Sequence, residues 1–275
     1  MPIRVGHSPD PDDAFMFWAI EAGRIDTRGL EIEGVPADIE TLNGWALEGR
    51  LEVTALSVGA YPHVRDRYAL LPHGASLGDG YGPVVVARDA IEPADLDGAR
   101  IAVPGRLTTA FLAARLALPS FEPVHTAFDA IMDDVAAGAV DAGVVIHEGQ
   151  LTYAAAGLVK VLDLGAWWLA ETGLPLPLGA NAIRRDLPTD VAPRLSMVLH
   201  EAIEAGLEHR DEALAYAKRF GRGISDAAND RFVGMYVNEM TRDYGPRGRA
   251  GVDELLRRGA AIGAFAPLPE VDYAP

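Results

Sequence analysis

Residues 91–117 read IEPADLDGARIAVPGRLTTAFLAARLA, and the fold can be read outward from them. One turn at Ala94-Asp95-Leu96 precedes a buried strand at Ile101-Ala102-Val103, and a loop from Gly105 to Thr109 opens a helix. A short, fully apolar strand feeding a helix is the unit of an open sheet covered on both faces. The unit recurs upstream. Ile3-Arg4-Val5-Gly6 is a short strand that ends in the turn-rich Ser8-Pro9-Asp10-Pro11-Asp12-Asp13. Phe15, Trp18, Ala19 and Ala22 then fall at helical spacing until Gly23 stops them. Leu30 to Val35 alternates as a strand, and Asp38 to Asn43 leads into a helix through Trp45, Ala46 and Leu47. Val53 to Val58 is a second buried strand, and residues 60–68 are expected to be helical.

Downstream, the glycine-rich loop Gly74 to Pro83 precedes the apolar strand Val84-Val85-Val86-Ala87. Residues Phe128 to Ala136 read as helix, Ala142 to Ile146 as a strand that ends on His147, and Leu158 to Leu164 as a further strand. Gly173 to Gly179 (GLPLPLG) reads as a proline-rich turn, and Pro193 to about Gly263 as mostly helical. Strands alternating with helices give open, largely parallel sheets, in which ligands sit beyond the carboxyl ends of the strands. Ser8, Ser57, Thr108, Thr109 and His147 all follow expected strands in separate units. That clustering of polar groups is the first functional signal.

The 275 residues suit two α/β lobes, and 49% hydrophobic with 23% charged residues is the balance of a globular protein. A net charge of −16 sets the chain against phosphate backbones, so nucleic acid is not an expected partner. Without cysteine there is no disulfide, thiolate metal site or cysteine nucleophile. Met1 to Asp13 (MPIRVGHSPDPDD) is acidic by its tenth residue, unlike a secretory signal, and no run approaches the ~20 apolar residues of a membrane span. A cytoplasmic location with no membrane partner is expected. The sequence does not give the oligomeric state.

Asp95 to Gly105 (DLDGARIAVPG) resembles the start of the second lobe in type II periplasmic-binding-protein folds. The resemblance implies an α/β fold of two lobes, each a mixed, mostly parallel sheet flanked by helices, with the ligand cleft between them. By that analogy the chain crosses near Val84–Arg88 and again near Gly179–Arg184. Residues 1–88 and 185–275 then form lobe one, and 89–184 lobe two. Such a fold hosts many activities. A narrower set of stretches resembles the 1,4-dihydroxy-6-naphthoate synthases of menaquinone biosynthesis by the futalosine route. These are SPDPDDAFMF from Ser8, DIETLN from Asp38, GRLTTA from Gly105, Ile146-His147-Glu148, GAWW from Gly165 and TGLPLPLG from Thr172. The resemblance covers about residues 3–185. It implies conversion of cyclic dehypoxanthinyl futalosine to 1,4-dihydroxy-6-naphthoate with release of dihydroxyacetone, by a retro-aldol-like cleavage of an anionic, hydroxylated bicyclic substrate. Neither metal nor organic cofactor is implied. A non-catalytic solute-binding protein and the sister chorismate dehydratase of the same pathway are the alternatives. Ile146-His147-Glu148 and Thr108-Thr109 favour the synthase over the dehydratase.

His147 is the candidate base, because imidazole titrates near working pH and a strand's carboxyl end is where a cleft opens. A half-buried histidine bonded to backbone would explain the same position. Glu148 could orient the ring or face solvent. Thr108, Thr109 and Ala110 open a helix whose free N–H groups suit a carboxylate or developing oxyanion, although threonine is also an ordinary cap. The resemblance places substrate contacts at Thr109 and Ala110 and at Ala55, Leu56 and Ser57. Ser8 and Asn43 are further candidates that, judged alone, read more simply as caps than as contacts. Asp10, Asp12 and Asp13 lack the glycine and distal glutamate of a calcium loop and read as turn and helix-start residues. Trp167-Trp168 reads more simply as core than as a stacking platform.

Overall fold

The computed structural model describes residues 2–221, 224–268 and 270–274. Its strands are β1 (Ile3–His7), β2 (Ile32–Pro36), β3 (Val53–Ser57), β4 (Tyr68–Leu70), β5 (Ser76–Gly78), β6 (Val84–Ala87), β7 (Arg100–Val103), β8 (Glu122–His125), β9 (Ala142–Val145), β10 (Val159–Asp163) and β11 (Leu176–Arg184). They form two sheets. The first has the order β2-β1-β3-β11-β4 with β5 also paired to β11, and the second runs β10-β6-β9-β7-β8. Parallel trios sit in each, β2-β1-β3 in the first and β8-β7-β9 in the second. The crossing strands β6 and β11 join antiparallel. Sheet membership therefore changes between Gly78 and Val84 and again between Asp163 and Leu176. Both changes come ahead of the 88/89 and 184/185 divisions expected from the sequence.

Three local expectations are corrected. Within residues 60–68 the α-helix is confined to Tyr61–Val64, and Tyr68 already begins β4, because its partner β11 lies alongside. The proline-rich Gly173–Gly179 is largely strand: β11 starts at Leu176 and keeps Pro177 at a register irregularity opposite β5, where a missing N–H is tolerated. Leu164 belongs not to a strand but to the helix Leu164–Thr172, whose first turn is capped by the Asp163 carboxylate accepting from Gly165 N and Ala166 N, both at 3.0 Å.

The helix Pro11–Glu21 is buried along Pro11–Ala19, packed against the helices Val191–Glu208 and Arg210–Ala217. That burial is why its apolar residues exceed a single stripe. One apolar cluster runs beneath both sheets, joining Leu56 and Ala180 of the first to Val85, Ile101 and Val144 of the second, with Leu255 of the helix Gly245–Ala261. The two halves are thus joined through this cluster. No described helix is long and apolar enough to cross a membrane.

An ion-pair cluster ties β1 to the strand crossing. Glu52 accepts from Arg4 N, Nε and Nη2, each at 3.0 Å, and from Arg184 Nη1 at 3.2 Å. Burial alone would raise its carboxyl, but the hydrogen bonds and charge of Arg4, with the charge of Arg184, hold it below the usual range. A carboxylate depressed in the fold contributes stability above its unfolded pKa and loses it as pH falls through the folded value. Glu52→Gln should therefore lower Tm at neutral pH, with the gap to wild type closing as the pH is lowered below the ordinary glutamate range. Thermal melts across pH check this; a gap that widens in acid would contradict it.

Candidate active site

Between the sheets lies a cavity of about 700 Å³, counting the space open to solvent. The carboxyl ends of β1, β3 and β9 meet there, together with the first turn of the helix Thr109–Ala117, the middle of β11 and the helix Asp226–Tyr236. Ser8, Ala55, Leu56, Ser57, Thr108, Thr109, Ala110 and His147 all line it. Asn43 does not. It is fully buried one layer behind, where its amide accepts from Ser57 N at 2.8 Å and donates to Ser57 Oγ at 3.1 Å. Its work is to hold Ser57, not to face the cavity.

The threonines serve the fold first. Thr108 caps its helix by accepting from Phe111 N at 3.2 Å and donates to Gly105 O at 3.0 Å. The Thr109 hydroxyl accepts from Gly59 N at 2.9 Å and donates to Leu178 O at 2.7 Å. What they leave for a ligand is the first-turn N–H of Thr109 and of Ala110, which have no acceptor inside the helix. No lysine or arginine lies among the described residues that line the cavity. An anionic group would be met by helix dipole and amides rather than by a cation. The loop ahead of this helix is latched to the opposite half: the Glu40 carboxylate accepts from Arg106 N at 2.7 Å and from Leu107 N at 3.2 Å. Gly105, at φ +152, makes room, since a Cβ there would sit 2.5 Å from that carboxylate.

His147 follows β9 with φ +53, a left-handed conformation that is uncommon outside glycine. Gln150 holds the backbone there. With its amide turned so that both ends are satisfied, its oxygen accepts from His147 N at 3.3 Å and its nitrogen donates to Gly82 O at 2.6 Å. The Tyr236 hydroxyl lies 2.7 Å from the same amide. The imidazole meets Phe128 edge-on, with centroids 5.0 Å apart, and its side chain is 15% exposed. Nδ1 lies 2.9 Å from Asp10 Oδ2 of the opposite half, and Nε2 has no hydrogen-bond partner among the described residues.

Asp10, Asp12 and Asp13 are all buried on the cavity wall, with oxygens within 4.8 Å of one another. Burial would raise the Asp10 carboxyl, but the charge and hydrogen bond of His147 outweigh it and hold Asp10 well below the usual range. Burial first, and the neighbouring Asp10 charge second, push Asp12 and Asp13 well above theirs. A shift in that direction favours the protonated form, which can donate a hydrogen bond to a ligand oxygen. Three carboxylate oxygens this close also have the spacing at which a cation can be shared, although Asp10 already faces the His147 imidazole.

Sequence reading missed Asp10, Asp12 and Asp13 as wall residues, along with Gln150, Asn181, Phe232 and Tyr236. For Asp10 the signal was present, since it stands at the same strand end as Ser8. Gly74, Ser76 and Pro83 bring the glycine-rich loop to the wall, whereas Trp167 and Trp168 do not reach it.

A family model described as menaquinone biosynthesis matches residues 3–261. The chain belongs to that family. Similar to this family member is a 1,4-dihydroxy-6-naphthoate synthase from Thermus thermophilus, 45% identical over 267 residues that make up 97% of either chain. A crystal structure of an Archaeoglobus fulgidus protein, 50% identical, superposes with a TM-score of 0.92 and covers 96% of this chain and 98% of that one. An alkanesulfonate-binding protein from Xanthomonas axonopodis superposes at 0.70 with 14% identity over 98% of this chain and 95% of that one. The last shows the fold alone: the menaquinone-biosynthesis chain has the type II periplasmic-binding-protein architecture, as its sequence led us to expect.

Proposed function

We propose that the chain is a 1,4-dihydroxy-6-naphthoate synthase that cleaves cyclic dehypoxanthinyl futalosine, with His147 as the general base. The observation that carries this is His147, with Nδ1 against Asp10 and Nε2 without a hydrogen-bond partner among the described residues, on the wall of a cavity that hydroxyls and helix amides from both halves line. A retro-aldol cleavage begins with loss of a hydroxyl proton. The C–O bond then becomes a carbonyl, the adjacent C–C bond breaks, and its electron pair passes to a neighbouring carbonyl, whose oxygen gains negative charge. His147 takes the first proton, and the released carbonyl compound is dihydroxyacetone. The Thr109 and Ala110 amides are placed for an anionic oxygen, either the substrate carboxylate or the developing charge. Ser57, steadied by Asn43, is placed for a substrate hydroxyl. Burial and the Asp10 charge favour the protonated forms of Asp12 and Asp13, which lessens the repulsion an anionic substrate meets.

Incubating the pure protein with cyclic dehypoxanthinyl futalosine, and separately with chorismate, tests the proposal by mass spectrometry of the products. Naphthoate and dihydroxyacetone in equal amounts are expected from the first and no turnover from the second. Binding without product would leave a solute-binding protein, and dehydration of chorismate the sister enzyme.

A further inference from the structure

Two oxygens of one buried carboxylate do different work at the head of the helix Pro11–Glu21. Asp10 is the N-cap of that helix, but its Oδ1 accepts from Asp13 N at a long 3.4 Å. Its Oδ2 makes the closer contact, 2.9 Å to Nδ1 of His147, with the Asp10 side chain 3% exposed. The positive end of the helix favours the ionised carboxylate at this place. An ionised carboxylate can only accept, so Nδ1 must carry the proton. In the neutral ring the lone pair then lies on Nε2, the nitrogen left without a protein partner.

We propose that Asp10 is a positioning residue, which reaches across the cleft to fix His147 in the tautomer that leaves Nε2, the nitrogen without a hydrogen-bond partner, as the basic one. When His147 accepts a proton at Nε2, the imidazolium that forms is stabilised by the same carboxylate, and Nδ1 keeps its proton throughout. Asp10 follows β1 of the first sheet and His147 follows β9 of the second. The pair therefore exists only while the two halves are together, and any separation of the halves would leave the base unoriented. The Gln150 and Phe128 contacts fix the backbone and the ring face but leave the tautomer open. The catalytic part of this inference rests on the proposed lyase reaction; the tautomer does not.

Asp10→Asn separates positioning from capping, because asparagine caps a helix as well as aspartate does. An asparagine amide facing Nδ1 can donate to it and so favour the opposite tautomer. Two measurements are made on wild type and D10N. The first is the ring 15N spectrum of His147, assigned by its loss in H147Q, on ligand-free protein at a pH where the ring is neutral. Wild type is expected as the Nδ1–H form, with D10N shifted towards Nε2–H. The second is turnover of cyclic dehypoxanthinyl futalosine, where D10N should lose at least about tenfold in kcat with KM and Tm little changed. A wild-type ring in the Nε2–H form, or D10N with wild-type spectrum and kcat, overturns the proposal. If wild type turns over no substrate, the lyase reading fails and the ring spectra alone decide whether Asp10 sets the tautomer. A D10N protein that loses both kcat and Tm together would show a purely structural cap.

Discussion

Replacing His147 by alanine should lower kcat by about 10²–10⁴-fold, the usual contribution of a positioned base, while KM stays within a few-fold. That corresponds to about 3–5 kcal/mol at the transition state. Substrate affinity should survive because the groups proposed to hold the ligand belong to other elements: helix amides at Thr109 and Ala110, and Ser57 at the end of β3. The left-handed backbone at this position adds a complication that can be controlled. Alanine at φ +53 is strained by about 1 kcal/mol or more, whereas asparagine tolerates that region. His147→Asn should therefore keep Tm closer to wild type than His147→Ala and still lose the same turnover. Steady-state kinetics and melts on both variants check the point. If either variant turned over at the wild-type rate, His147 would have no part in the chemistry.

How far such a site can be read from sequence depends on whether its residues announce themselves locally. His147, Ser8, Ser57 and Thr108-Thr109 did, since each follows a short apolar run whose strand character shows in the sequence. The carboxyl end of a strand in an open sheet is where a cleft opens, so position alone carried information. Asp10 stands at such an end too, but its proline neighbours made a turn the sufficient explanation. Its facing His147 across two sheets is a tertiary fact with no local trace. Asn43 shows the converse. Its polarity suggested a contact, and burial behind Ser57 turned it into a support.

The fold divides in the same way. β1, β3, β7 and β9 were visible because buried parallel strands are continuous apolar runs, and β2 by its alternation, whereas the exposed edge strand β8 (EPVH) left no such trace. The short β4 and β5 were not, since three residues become strand only where β11 supplies the partner edge. Tyr236 and Gln150 reach the cavity from segments with no distinguishing pattern, and their meeting at 2.7 Å is set by how the helix Asp226–Tyr236 packs. Helical periodicity identifies such a helix without saying which residue will end at the wall.

Trp168→Ala should be the most damaging change to stability outside the cavity, at about 3–5 kcal/mol. Trp168 is fully buried in the cluster that joins the two halves, and its indole N–H donates to Pro175 O at 3.1 Å. Arg258 lies over its ring at 5.2 Å, held in place by Glu254 at 2.7 Å. Alanine would leave a cavity, an unpaired buried carbonyl and a guanidinium without its aromatic face, and each contributes to the loss. In a chain of this size the melting temperature should fall by roughly 10 °C. Trp167, half-buried against the same cluster, serves as the comparison, and its alanine variant should lose less than half as much. Neither indole lines the cavity, so both variants should keep wild-type KM per folded molecule. The two readings of the tryptophan pair separate here. A platform for the bicyclic substrate would raise KM in Trp167→Ala with little change in Tm, whereas packing lowers Tm and leaves KM alone.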